Sequence, residues 1–240
     1  MEKSRLDQAL TRRGLVHSRS QAESYIKLGQ VKVNGKFITK TGEQVTDADK
    51  LEVTAAAQYV SRAALKLASV AEVLGIRFDG TVILDVGSST GGFTDYALKH
   101  GAVKSIAVEV GTDQLHPSLH GNPAIELHEQ TDIRDFKTDQ KVDIVVADVS
   151  FISLRDILPA VARLCGPGTQ IVAMVKPQFE AERSNLKHKG VIKNDRMRRD
   201  ILKDFEQWAL QYFKIVNKAD SEVSGSKGNV ERFYLLQKLR

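Results

Sequence analysis

The stretch from Val82 to Thr94 reads VILDVGSSTGGFT, and its reading decides the fold. An apolar run, Val82-Ile83-Leu84, ends in an acid, Asp85. Three closely spaced glycines follow, Gly87, Gly91 and Gly92, and a helical pattern begins at Phe93. The order is strand, tight turn, helix N-terminus, a connection that lets a backbone approach a nucleotide closely. The spacing is Gly-x-x-x-Gly-Gly, which misses the dinucleotide fingerprint, and no lysine follows the glycines as a phosphate-cradling P-loop requires.

What remains for such a loop is an adenosyl group without phosphates, of which S-adenosylmethionine is the common one. Asp85, Gly87, Ser88, Ser89, Thr90, Gly91, Gly92 and Phe93 are the candidate contacts. An ordinary strand-to-helix turn fits the same residues. Working outward, a second apolar run, Ser105 to Val108, ends at Glu109, and a third, Ala124 to Leu127, leads to Asp132. In a parallel sheet, ligands sit beyond the carboxyl ends of the strands. An acid at Glu109 binds both hydroxyls of a ribose and repels a phosphate, while Asp132 is placed to reach an adenine amino group. Three acids at strand ends also suit a sulfonium cation. Solvated strand-end carboxylates are the plainer alternative.

The flanking pattern extends this unit in both directions. Arg62 to Leu74 reads as an amphipathic helix. Expected strands cover 81–86, 104–109, 124–128, 142–148 and 169–175, with helices over 93–100, near 113–120, over 153–164 and over 195–211. A polar loop is expected over 177–193. Asn194 is a good N-cap for the last helix, and Ser153 a plausible one for its predecessor. Two closing strands, 213–221 and 230–238, have no helix between them. Such alternation implies a mostly parallel sheet covered on both faces, with an antiparallel end.

Apolar residues make up 42% of the 240, which is enough for a packed core. A single cysteine, Cys165, excludes an intrachain disulfide framework and a cysteine-rich metal site; it reads as a buried small hydrophobe, and no metal is expected. Residues 1–13 lack the apolar core of a signal peptide, and no apolar run approaches the length of a membrane span, so a cytoplasmic protein is expected. Net charge is +5 and unevenly spread: residues 1–40 hold nine Lys or Arg against three acids, and residues 181–199 hold seven against two. Patches of this kind suit a polyanion, although a solvated basic surface has the same composition.

Residues 1–54 read as a separate small unit. Arg5 to Arg13 has helical spacing and Gly14 ends it. Ser18-x-x-Gln21 fits a capping box for a second helix with Ala22, Tyr25 and Ile26 inward, stopping at Gly29. Val31-Lys32-Val33 alternates, Asn34-Gly35 is a hairpin turn signal, and Leu51-Glu52-Val53 supplies another strand. Arg5, Arg12, Arg13, Arg19, Lys27 and Lys32 lie mainly on the helices and first strand. The segment RLDQALTRRGLVHSRSQAESYIKLGQVKVNGK closely resembles the S-four-type RNA-binding domain over roughly residues 4–54. The resemblance implies an αα-plus-hairpin module that binds RNA through its helix surface. Residues 55–60 are expected to be a linker and 61–240 a second domain.

Four polar residues stand where strands end or a flanking helix begins: Lys66, Asp148, Lys176 and Glu231. A lysine directly after a buried strand is expensive unless paired. Asp148, ending the neighbouring strand, is the expected partner of Lys176, and Lys66 with Glu231 the expected second pair. Structural ion pairs closing the sheet explain them equally well. The segments YVSRAALKL, LDVGSSTGGFTD, VEVG, DVSFISL, VKPQFE and GNVERF resemble, in order, the TlyA group of FtsJ-like RNA 2′-O-methyltransferases.

That resemblance implies a Rossmann-like seven-stranded methyltransferase fold using S-adenosylmethionine, with ribosomal RNA or ribosomal subunits as partner. It also implies a Lys-Asp-Lys-Glu tetrad falling on Lys66, Asp148, Lys176 and Glu231. Arg62, Arg183, Lys187 and Lys189 are further expected RNA contacts, and Tyr59 and Phe151 possible stacking partners for a flipped base. The chain has Ser61-Arg62-Ala63-Ala64 where related chains carry SRGG, and Glu109 where they carry Asp. Members of the group are often labelled haemolysins. A membrane-active protein, a small-molecule methyltransferase and a non-catalytic ribosome-binding protein are therefore the competing readings.

Overall fold

The computed structural model describes residues 3–16, 18–54, 59–181, 190–192, 194–225 and 228–239. The N-terminal unit contains β1 (Ser4–Arg5), α1 (Leu6–Arg12), α2 (Arg19–Lys27), β2 (Val31–Val33), β3 (Lys36–Phe37), β4 (Gln44–Val45) and β5 (Leu51–Val53). Asn34 and Gly35 take φ of 50° and 79°, the double left-handed turn that matches the twist of a two-residue hairpin. The Ser18 Oγ accepts from the Gln21 N–H at 3.2 Å, as the capping box predicts, and the Gln21 carboxamide donates to the Tyr59 carbonyl at 2.7 Å. The antiparallel pair of β1 with β4 was not anticipated. Two-residue strands carry too little alternation to be read.

The larger unit follows with α3 (Arg62–Leu74), β6 (Val82–Val86), α4 (Gly92–Lys99), β7 (Lys104–Val108), β8 (Ile125–His128), β9 (Ile144–Ala147), α5 (Leu154–Leu164), β10 (Gln170–Val175), α6 (Pro177–Glu180), α7 (Asp195–Ala209), β11 (Phe213–Asp220) and β12 (Arg232–Lys238). Its sheet has seven strands in the order β11-β12-β10-β9-β6-β7-β8. β12 runs antiparallel to both neighbours, and the strands from β10 to β8 are mutually parallel. Successive strand residues enter opposite cores. Ile83, Val172 and Phe233 pack with α3 and α4, whereas Leu84, Ile171 and Tyr234 pack with α5 and α7. A strand buried on both faces reads as a continuous apolar run for this reason.

Two local expectations change, and the expected burial of Cys165 holds. The helix near 113–120 is one 3-10 turn at Pro117–Leu119. The loop after β10 begins with a helical turn, α6, for which Pro177 supplies a pre-set φ at the first position. Cys165 follows α5 as its C-cap and is buried, its thiol donating to the Val161 carbonyl at 3.2 Å; burial pushes that thiol up to about 11.

The small unit does not stand apart. Leu6, Leu10, Tyr25 and Ile26 share one continuous core with Leu65, Leu67 and Phe93 of the larger unit. The seam is aromatic and polar together: Tyr59 lies 5.5 Å from Tyr96 between ring centroids, and the Val60 N–H donates to Asp95 at 2.9 Å. Tyr59 is therefore buried at the junction, which corrects the expectation that it stacks on a nucleobase.

Candidate active site

Each glycine of the 87–92 turn has its own steric reason. Gly87 takes φ of 77°, and a Cβ there would lie 2.8 Å from the Asp148 carbonyl oxygen. Gly91 takes φ of 81° and opens α4. Gly92 packs against the start of α3, where a Cβ would collide with the Ser61 hydroxyl and lie 2.9 Å from the Ala63 methyl. Ala63 is thus packed against the turn itself.

The turn borders a cleft of about 570 Å³ beyond the carboxyl ends of β6, β7 and β9. Gly87, Ser89, Glu109, Asp132 and Asp148 line it. Glu109 is buried, and its carboxylate accepts from the Ser89 N–H at 2.9 Å and the Gly111 N–H at 2.8 Å. Each oxygen keeps a further lone pair for a ligand hydroxyl. Asp132 is gripped by Arg134 through Nε at 2.9 Å and Nη2 at 2.5 Å, and those bonds hold its carboxyl below the usual carboxylate range. Val149, Ser150, Phe151 and Ile152 form the opposite wall.

Other expected contacts lie outside this lining. Phe93 is core, its ring 6.0 Å from that of Phe233, which corrects its assignment to the cofactor. Gly91 and Gly92 shape the turn from behind. Thr90 is exposed and Ser88 buried beside the cleft, neither lining it. Asp85 is buried under the turn, where its Oδ2 accepts from the Thr94 N–H at 3.0 Å and the Thr94 hydroxyl at 2.7 Å. Burial pushes its carboxyl up to about 7, against the pull of those two bonds. Asp85 Oδ1 and Ser88 Oγ are buried and have no hydrogen-bond partner among the described residues. Buried polar atoms of this kind need a partner. Acids beside a cavity of ligand size, with two such atoms under the turn, fit S-adenosylmethionine.

The four candidate catalytic residues form two ion pairs. Asp148 follows β9 and Lys176 follows β10, its parallel neighbour; Lys176 Nζ stands 2.5 Å from Asp148 Oδ1 and donates to Ser150 Oγ at 2.7 Å. Lys66, one turn into α3, donates to Glu231 Oε1 at 3.2 Å. Glu231 precedes β12, whose first residue pairs with Val175, so the antiparallel strand brings its amino end to the edge where Lys176 begins. Both side chains of the second pair are nearly buried.

The spacing held no signal for the contacts that join the two loops. Phe151 is 92% exposed, takes φ of 64° and lies 5.3 Å from the Phe179 ring. Glu180 is buried and accepts from the Ser153 hydroxyl at 2.7 Å and the Leu154 N–H at 2.8 Å; burial pushes its carboxyl up, opposed by these bonds and by Arg155. The signal available was only that two short polar motifs each follow a buried strand.

The basic residues divide. Arg5 and Arg19 flank the buried Asp7 at 3.0 Å and 2.8 Å, and Arg12 meets Asp47 at 2.8 Å; all three remain partly exposed. Lys27 is exposed, and Lys32 Nζ lies 4.6 Å from the centre of the exposed Phe37 ring. Arg13 instead donates to the carbonyls of Asp49 at 2.7 Å and Thr46 at 2.8 Å. Arg62 is half-buried and donates to Ser24 Oγ at 3.2 Å and to the Ser224 carbonyl, so its guanidinium is engaged within the protein. Arg183, Lys187 and Lys189 lie outside the described residues.

Comparison with known proteins agrees with this geometry. The FtsJ-like methyltransferase family matches residues 59–238, and the S4 domain matches residues 4–51. Hemolysin A of Brachyspira hyodysenteriae is 38% identical over 232 residues, covering 95% of this chain and 97% of that protein. The 16S/23S rRNA (cytidine-2′-O)-methyltransferase TlyA of Mycobacterium tuberculosis is 36% identical over 241 residues, covering 98% of this chain and 90% of that one. A solved structure described as a hemolysin, from Streptococcus thermophilus, superposes with a TM-score of 0.72 at 34% identity, covering 99% of this chain and 89% of that one. With an S4 domain ahead of a seven-stranded methyltransferase sheet, the chain belongs to the FtsJ-like methyltransferase family, in the group that holds TlyA and hemolysin A.

Proposed function

We propose that the chain transfers a methyl group from S-adenosylmethionine to a ribose 2′-hydroxyl of ribosomal RNA. The observation that carries this reading is the 2.5 Å approach of Lys176 to Asp148 at the rim of an acid-lined cleft. Bound S-adenosylmethionine supplies an electrophilic methyl on a sulfonium. Glu109 would hold the ribose of its adenosyl group, Asp132 would reach its adenine, and the acids would complement the positive sulfur. A ribose hydroxyl is a poor nucleophile until its proton is removed or strongly polarised. Lys176 meets that hydroxyl, Asp148 steers Lys176, and Glu231 orients Lys66 beside them. S-Adenosylmethionine would supply the methyl to that oxygen, and Lys176 would receive the proton that the hydroxyl gives up.

RNA reaches the site through the S4 domain, on Arg5, Arg12, Arg19, Lys27 and Lys32, and Arg183, Lys187 and Lys189 add positive charge for its backbone. Phe151 stacks on a base turned out of its helix. A cytoplasmic location follows from a ribosomal substrate. Among the described residues no helix is long and apolar enough to cross a membrane. The test is transfer of labelled methyl to unmodified ribosomal subunits, with the product mapped. Lys176→Ala is expected to bind cofactor and RNA and to lose transfer, and near-normal turnover would remove Lys176 from the reaction. Leakage of liposomes by the purified protein tests the membrane-active reading.

A further inference from the structure

We propose that Ser150 is a positioning residue for the reacting amine, fixing together with Asp148 the direction in which Lys176 faces the ribose hydroxyl. The inference rests on the role given to Lys176 above. Among the described residues, two oxygens stand within hydrogen-bond distance of Lys176 Nζ, Asp148 Oδ1 at 2.5 Å and Ser150 Oγ at 2.7 Å, while the Phe179 ring centre is 5.8 Å away. A lysine nitrogen is tetrahedral, with one bond to Cε and three other directions. As a free amine it has two N–H donors and one lone pair. Ser150 accepts one of those donors in a hydrogen bond, Asp148 stands at ion-pairing distance on a second side, and the lone pair is left in the third direction, available to the substrate proton. With Asp148 alone the amine turns about its Cε–Nζ bond and loses no hydrogen bond. A second acceptor fixes that rotation, and orientation of a reacting pair is a large part of catalysis.

The chain builds this contact deliberately. Ser150 is exposed and lines the cleft with Asp148, so its hydroxyl has water as an alternative partner. The next residue, Phe151, holds a left-handed φ of 64°, a conformation that bulky side chains avoid and that gathers at functional sites. Beyond it, Phe151 meets Phe179, and Ser153 and Leu154 both donate to the buried Glu180. Segment 148–154 is therefore fastened to segment 176–180 along its length, and Ser150 is held against Lys176 by contacts on either side. A chance meeting of a surface serine with a lysine would need none of this.

The experiment compares Ser150→Ala, Ser150→Thr and Lys176→Ala by single-turnover methylation of unmodified ribosomal subunits, with the affinities for S-adenosylmethionine and for RNA measured separately. Ser150→Ala is expected to slow the methylation step about fivefold, the scale of one lost hydrogen bond between neutral groups. Both affinities are expected to stay within about twofold, because neither ligand binds through the amine's orientation. Ser150→Thr keeps Oγ and is expected to restore most of the rate. A Ser150→Ala rate equal to the native one, a loss that threonine does not restore, or a fall in RNA affinity that accounts for the whole loss would overturn the proposal. If Lys176→Ala keeps its rate, the reading of Lys176 fails and this inference with it; if Lys176→Ala is inactive while Ser150→Ala is undiminished, only the inference fails.

Discussion

Arg62 donates from Nε to the Ser24 hydroxyl 3.2 Å away, although the two residues lie on helices of different domains. The same guanidinium reaches the Ser224 carbonyl, and one turn further along α3 Lys66 holds Glu231. One helix thus grips both the seam and the acid of the second ion pair. Arg62→Ala is expected to cost about 2 kcal/mol of stability, as loss of charged hydrogen bonds does, measured by chemical unfolding. Lysine does not replace it, because an ammonium is a single point that cannot fork between two acceptors. A variant with native stability and weakened RNA binding would return Arg62 to the RNA surface.

Stability should fall with rising pH across the range set by Asp85. An acid that ionises near 3.8 when unfolded and at about 7 when folded leaves the native state with more bound protons between those values. Unfolding free energy then declines through that window, at up to about 1.4 kcal/mol per pH unit for one proton, and the loss is complete above the folded value. Asp85→Asn keeps an acceptor for both Thr94 donors and is expected to flatten this decline. Parallel pH profiles for the two proteins, by thermal unfolding, would contradict it.

Gly92→Ala places a methyl between the Ser61 hydroxyl and Ala63, with the Ala64 nitrogen at 3.1 Å. Overpacking of this sort costs about 1–3 kcal/mol. Restoring a glycine at position 63 in the same chain should recover part of that cost, because it removes the nearer carbon. Additive effects of the two changes would mean that the helices do not meet there.

Arg12 and Arg13 are neighbours with different duties. Arg13→Ala should destabilise the small domain by about 1–3 kcal/mol, since two backbone carbonyls lose their donors. Arg12→Ala should leave stability almost unchanged, because its pair with Asp47 is exposed, and should instead weaken RNA binding. Affinity for RNA should decline with salt by a log–log slope of about −0.7 for each phosphate contact on a single strand, and Arg12→Ala should reduce that slope. A salt-independent affinity would exclude the basic face as the docking surface.

Much of this architecture was legible in the chain because burial on two faces leaves an unmistakable trace. The apolar runs ending at Asp85, Glu109, Asp148 and Lys176 located four strands and the edge where a ligand binds, and the pairing of Lys176 with Asp148 followed from the cost of a lone buried ammonium. What stayed hidden was set by distance in space. Arg62 carries the charge expected of an RNA contact, yet its partners Ser24 and Ser224 lie 38 and 162 residues away. Phe93 follows a nucleotide-type turn, but its ring lies in the core against Phe233. The four residues of α6 are too few to show a period, and Glu180 within it draws its meaning from Ser153 and Leu154.

β12 comes after β11 in the chain and still lies between it and β10. A polypeptide interrupted before Arg232 would leave the peptide groups of Ile171 to Val175 bare along an apolar border, with β11 cut off from the strand it pairs with. Such borders recruit strands from other molecules. Premature stop codons upstream of this position should therefore produce insoluble polymers, and not a soluble, sluggish catalyst.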